Sequence, residues 1–243
     1  MFILFVDLNG CSAVHWAAKR GDIDMLQILV DKGASINLPS TTESKMRPIH
    51  WAASDGKIGA VHFLLNCHED INVEDANGCT PVIIATQHNH IDCVAYLLKN
   101  SADMTVTDSN GDTALHWAAY KGLVEMTGFL VYHMPMSVNR PDSYGQTPLH
   151  LASLRGNFEV VETLIRDCNA NVTLKDRGGA TPLELSVKKS QFRAEWVIRR
   201  LTSRSWFGLL FSIPSQRFRE QRYASLYSVY CVYMITLDEY YIE

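Results

Sequence analysis

The chain has 243 residues, 47% hydrophobic and 20% charged, a globular composition that excludes disordered and collagen-like chains. A formal charge of -4 and a pI near 6.1 provide no global basic field for nucleic acid. No apolar run reaches the roughly 18 residues that a membrane-spanning helix needs.

Phe2-Ile3-Leu4-Phe5-Val6 at the N-terminus is too short for a secretory signal core, and no basic residue precedes it. Cysteines stand at 11, 67, 79, 93, 168 and 231, with no Cys-x-x-Cys pair. They read as reduced, mostly buried thiols, which suits the cytosol.

A phrase then recurs along the chain. It is spelled most fully as Asp112-Thr113-Ala114-Leu115-His116-Trp117-Ala118-Ala119-Tyr120-Lys121-Gly122. Aligned on its histidine, the positions are His15, His50, Ile83, His116, His150 and Glu184, in steps of 35, 33, 33, 34 and 34 residues. A period of this size signals stacked structural repeats. Small pairs follow each position, Ala17-Ala18, Ala52-Ala53, Ala85-Thr86, Ala118-Ala119, Ala152-Ser153 and Ser186-Val187. They let two helices lie close together.

Thr80, Thr113, Thr147 and Thr181 precede the first helix of their repeats, where a hydroxyl can cap free backbone N–H groups. Pro81, Pro148 and Pro182 follow three of them, at the first helical position, which needs no N–H. The helix-ending residues are Gly21, Gly56, Asn89, Gly122, Gly156 and Ser190, with Gly and Asn suited to a left-handed C-cap. An apolar second helix comes next, as in Val94-Ala95-Tyr96-Leu97-Leu98. Asp75-Ala76-Asn77-Gly78, Asp108-Ser109-Asn110-Gly111 and Asp142-Ser143-Tyr144-Gly145 are turns between repeats. The first junction, residues 38–47, is two residues longer, lacks Gly and a capping Thr, and predicts a mobile tip. One helix pair cannot bury its own apolar faces, so the repeats must stabilise one another by stacking.

This spelling resembles the ankyrin repeat, whose Thr-Pro-Leu-His stands here as Thr147-Pro148-Leu149-His150. The resemblance covers about residues 7–201. It implies an all-α solenoid of six helix-turn-helix repeats joined by β-turn fingers, within an array at 1–201. Residues 202–243 follow, with an aromatic run at 203–212, a basic stretch at 217–222 and a Tyr-rich apolar stretch at 226–237. A loosely packed cap, a membrane-surface element and the remnant of a longer protein all remain open for this tail.

The repeated histidines invite a metal or catalytic reading, but a structural one is preferred, bridging backbone groups of adjacent turns. His88, His90 and Cys93 are close in sequence, yet Asn89 should end the helix between the histidines, so no metal is expected. Gly178-Gly179 belongs to an inter-repeat turn, and no phosphate loop or cofactor is expected.

Trp16, Trp51 and Trp117 follow the aligned histidine and form a stripe, read first as inter-repeat core and second as a partly exposed aromatic ladder. The two residues before each helix-ending position should line a concave face. They are Lys19-Arg20, Ser54-Asp55, Gln87-His88, Tyr120-Lys121, Leu154-Arg155 and Lys188-Lys189. That row is either a solvated face or a groove for an extended segment with acidic or polar residues. The candidate partner-binding residues are Trp51, Asp55, Trp117, Tyr120, Lys121, Tyr144, Leu154 and Arg155.

His-Trp-Ala-Ala, spelled at His15, His50 and His116, also resembles the repeats fused to the N-terminus of Asp-His-His-Cys palmitoyltransferases. That likeness implies a cytosolic domain recruiting substrate proteins, here in a truncated or alternatively ended product. The Asp-His-His-Cys nucleophile and the Cys-rich zinc segment are not in this sequence, so no catalytic residue carries over. The expectation is a monomeric, cytoplasmic, non-catalytic module that binds a protein or peptide. No nucleic acid is expected, and a membrane only within a larger acyltransferase.

Overall fold

The computed structural model describes residues 6, 7 and 10–202. Among them are twelve α-helices and a short 3-10 turn at Pro135–Asn139, with no strand beyond an isolated bridge between Val6 and Ser12. Of the tail expected at 202–243, only Thr202 is described, as the end of a helix; the rest, including Cys231, lies outside the described residues.

The chain divides into two compact units, Met1–Ser109 and Asn110–Glu243. The first holds three helix pairs: α1 (Ala13–Arg20) with α2 (Ile23–Asp31), α3 (Pro48–Ser54) with α4 (Ile58–Asn66), and α5 (Pro81–Gln87) with α6 (Ile91–Lys99). The second holds α7 (Ala114–Lys121) with α8 (Val124–His133), α9 (Pro148–Arg155) with α10 (Phe158–Arg166), and α11 (Pro182–Lys188) with α12 (Phe192–Thr202). Within each unit the odd-numbered helices pack in a row, and the even-numbered helices form a second layer behind them.

The small pairs allow this close packing: Ala18, Ala52, Ala53, Ala118, Ala119 and Ala152 have no exposed surface. In the second layer the residue fourteen places after the histidine position is fully buried from the second repeat on: Leu64, Leu97, Leu130, Leu164 and Ile198. Burying each such side chain stabilises the fold by about 1.5–3 kcal/mol. Cys93, on α6, belongs to the same core, and burial pushes its thiol up to about 12.

Each repeated histidine ties two repeats together. The Nδ1 atoms of His15, His50, His116 and His150 accept backbone N–H from Ser12, Arg47, Thr113 and Thr147, each at 3.1 Å. That leaves the proton on Nε2, which donates across to the following finger. The acceptors are Met46 O (3.1 Å), Val73 O and Cys79 O (3.1 Å each), Gln146 O (3.2 Å) and Ala180 O (3.2 Å). Burial lowers all four imidazoles below their ordinary value of 6.5, His116 to about 4. They are neutral hinges between layers, as the structural reading expected.

The caps require one correction. Thr113 and Thr181 accept the N–H of His116 and Glu184, as a capping hydroxyl should. The Thr80 hydroxyl is buried and has no hydrogen-bond partner. Its repeat carries Ile83 where the others carry the histidine that such a hydroxyl meets, at 2.8–2.9 Å in Thr113 and Thr147. At the helix ends, Gly122 and Gly156 are left-handed (φ 80° and 76°), and Asn89 and Ser190 take the same conformation (φ 61° and 56°).

The fingers close by a shared device. Asp75 Oδ1 accepts the N–H groups of Asn77 and Cys79, and Asp142 Oδ1 those of Tyr144 and Gln146, all within 2.9 Å. The first junction, expected to have a mobile tip, closes differently. Ser40 N donates to Met46 O at 2.9 Å, and the hydroxyls of Ser40, Thr42 and Ser44 form a chain. Lys45, at φ 48°, takes the left-handed place of the missing glycine.

Candidate functional site

Five of the eight candidate residues line one cleft of about 440 Å³ in the second unit: Trp117, Tyr120, Lys121, Tyr144 and Leu154. Helical spacing puts Trp117 and Tyr120 on the same face of α7, where their rings meet edge to face at 5.9 Å. Arg155, from α9 of the next repeat, lays its guanidinium 4.7 Å from the centre of the Tyr120 ring. This is a cation–π contact between two adjacent repeats. Six of the candidates therefore converge through two adjacent repeats and one finger.

Local chemistry holds Tyr120 in place. Gly122 ends α7 in the left-handed conformation, and Asn157 Nδ2 donates to Ala119 O and Tyr120 O at 2.9 Å each. Asn157 was not foreseen; its only signal is its place directly after Gly156. A Cβ on Gly122 would stand 3.0 Å from the Asn157 carboxamide, so this close approach also needs glycine. Tyr144 sits at the finger tip, 60% exposed, and its backbone N–H is held by Asp142. Leu151 is buried, Leu154 half-buried, and together they supply the apolar part of the lining.

The floor is unsuited to acid–base work. His116 is fully buried, neutral at pH 7 and committed to Gln146 O. The Oδ1 of Asp142 is occupied by two backbone N–H groups. What the cleft presents is aromatic and aliphatic surface with cationic Lys121 and Arg155 at its edge. Among the described residues no group of three His, Cys, Asp or Glu side chains could hold a metal ion. His88 and His90 stack at 6.5 Å, and His90 Nε2 donates to Ser54 O at 2.9 Å.

Trp51 and Asp55 belong to the first unit. Trp51 meets Trp16 edge to face at 5.3 Å, and Lys19 Nζ lies 5.1 Å from the Trp51 ring centre. Asp55 accepts from the Ser54 hydroxyl at 3.2 Å. The preferred reading of the tryptophan stripe as inter-repeat core is corrected here. Trp16 is 44% exposed and Trp51 and Trp117 are half-buried, whereas Leu151 at the same phase is buried. An indole is too large for a slot that Leu fills, so its outer edge stays in solvent.

A family model described as ankyrin repeats (3 copies) matches the chain over four overlapping ranges, residues 14–108, 49–142, 100–176 and 136–203. The chain belongs to the ankyrin-repeat family. The helix-pair repeat is thus a family property, and the histidine bridges and left-handed helix ends are how this member builds it. No curated protein matches the chain. Among solved structures, it is similar to a chain of the Bd0816 predatory endopeptidase complex from Bdellovibrio bacteriovorus with the immunity protein Bd3460. The identity is 24%, the TM-score 0.67, and the match covers 77% of this ankyrin chain and 97% of that one. At that identity the likeness establishes the fold alone. No helix among the described residues is long and apolar enough to cross a membrane.

Proposed function

We propose that this ankyrin chain is a non-catalytic protein-interaction module whose second unit takes an extended segment of a partner in the Trp117–Tyr120–Tyr144 cleft. Ankyrin repeats are protein-interaction modules as a family. The observation that carries the finer reading is the Tyr120–Arg155 pair, locked from two repeats beside an open aromatic cleft. Rigid aromatic anchors beside a guanidinium are the composition of interface hot spots. The solved neighbour comes from a complex of two proteins, in keeping with such a role. Leu151 and Leu154 would receive an apolar side chain, and Lys121 and Arg155 an acidic or polar one. Free thiols at Cys67 and Cys93 favour a reducing, cytosolic setting.

The test is selection of binding peptides from a displayed library against the whole chain, repeated with Tyr120→Ala plus Arg155→Ala. Both side chains are partly exposed, so the melting temperature should stay within a few degrees while the selected peptides lose at least about tenfold in affinity. Undiminished binding by the double variant would move the site elsewhere.

The narrower reading, a substrate-recruiting portion of a protein-cysteine S-palmitoyltransferase, rests on the His-Trp-Ala-Ala spelling. Here the histidine is a bridge and the alanines are helix contacts, while the tryptophan stays partly exposed. Genomic sequence downstream that encodes spanning helices and an Asp-His-His-Cys segment would decide for it.

A further inference from the structure

The last repeat ends in a surface that a terminal repeat ordinarily avoids. Capping repeats keep a polar outer face for solubility. On α12, Phe192 is 75% exposed and Trp196 is 59% exposed, and one helical turn puts them on the same face. Val187, near the end of α11, is also exposed.

The charge of this stretch of sequence is one-sided. Between Val187 and Thr202 stand five cations, Lys188, Lys189, Arg193, Arg199 and Arg200, against one carboxylate, Glu195. Arg199 already neutralises that carboxylate at 2.8 Å. One cation sits on these rings: Arg200 lies 5.0 Å from the Trp196 ring centre, while Arg193 packs over Phe158 of α10 at 5.3 Å. This excess sits on a chain whose formal charge is -4. The second helix of the first repeat, α2, provides an internal contrast. It also exposes apolar side chains, Met25 and Ile28, but from Asp22 to Lys32 its sequence carries three carboxylates, Asp22, Asp24 and Asp31, against one cation, Lys32.

We propose that the α11–α12 face docks onto an anionic phospholipid bilayer, lying on the surface without crossing it. Trp and Phe enter the headgroup boundary, where an indole keeps its ring in the apolar layer and its N–H in the wet one. Arginine and lysine stems bury along the same boundary while their charges meet lipid phosphates. A soluble acidic partner would satisfy the cations but would leave Phe192 without a reason for its exposure. The acidic α2 face is repelled by the same bilayer.

Cosedimentation of the full chain with vesicles tests this directly, using phosphatidylcholine alone and phosphatidylcholine with phosphatidylserine. Retention should rise at least about tenfold with the anionic lipid and fall again in high salt. Phe192→Ser with Trp196→Ser, and separately Lys188→Glu with Lys189→Glu and Arg193→Glu, should each remove that gain with the melting temperature kept. Met25→Ser with Ile28→Ser should leave it unchanged. Three results overturn the proposal: equal retention on both vesicles, retention indifferent to either α12 variant, or no retention. Capture of single-stranded RNA without vesicle binding would overturn it in favour of a nucleic-acid surface.

Discussion

The third repeat, in the first unit, and the sixth, in the second, both lack the histidine that bridges layers elsewhere, and they replace it in opposite ways. The third puts Ile83 there, 1% exposed, and leaves the Thr80 hydroxyl buried without a partner. The sixth puts Glu184 there, exposed, with Oε2 accepting Thr181 N at 2.7 Å and the Thr181 hydroxyl at 2.9 Å. A buried position can trade hydrogen bonds for volume. Among the described residues no finger follows the sixth repeat, and there a carboxylate closes the helix start instead. The same residue position thus changes its physical role with solvent access.

The sharpest way to break this comparison is truncation at both sites. Ile83→Ala should cost about 2–4 kcal/mol, because a core cavity adds to the lost transfer energy. Glu184→Ala should leave the urea midpoint nearly unmoved. Equal losses would mean that the two positions do the same work.

Acid sharpens it next. The four bridging histidines have folded values below the ordinary 6.5, so the unfolded chain takes up protons first as pH falls. Their contribution is complete above pH 6.5 and is lost on descent toward the folded values, which for His116 is about 4. Thr181 lowers Glu184 below its ordinary 4.5, so its contribution is complete above 4.5 and is lost at lower pH. Urea midpoints should therefore fall between pH 7 and pH 5 in the native chain, and less steeply in His116→Gln. A midpoint flat over that interval would contradict neutral, buried bridges.

The smallest effect concerns hydroxyls. Thr80 in the first unit and Ser153 in the second are both buried without a hydrogen-bond partner. Thr80→Val and Ser153→Ala should each raise stability by up to about 1 kcal/mol, by removing an unsatisfied group. Thr181→Val should lower it, since that hydroxyl is engaged. Calorimetric melting of the three variants distinguishes the signs.

The repeat period, the small pairs, the turn residues and the histidines are local signals, and they determined the helix pairs and their order. Each is set by backbone chemistry within a few residues: a left-handed cap, a proline start, an Asp-anchored finger. Candidate site residues were legible for the same reason, since equal phase in successive repeats means equal placement.

What the sequence could not decide is how far each side chain is covered, because cover comes from the neighbouring repeat. Trp117 looked like core and is half-buried; Leu151, at the same phase, is buried. Arg155 was one member of a charged row until packing laid it on Tyr120 from the next repeat. Asn157 became a helix cap only across 37 residues of chain. Those facts depend on which faces meet when helix pairs stack, and tertiary contact alone sets them.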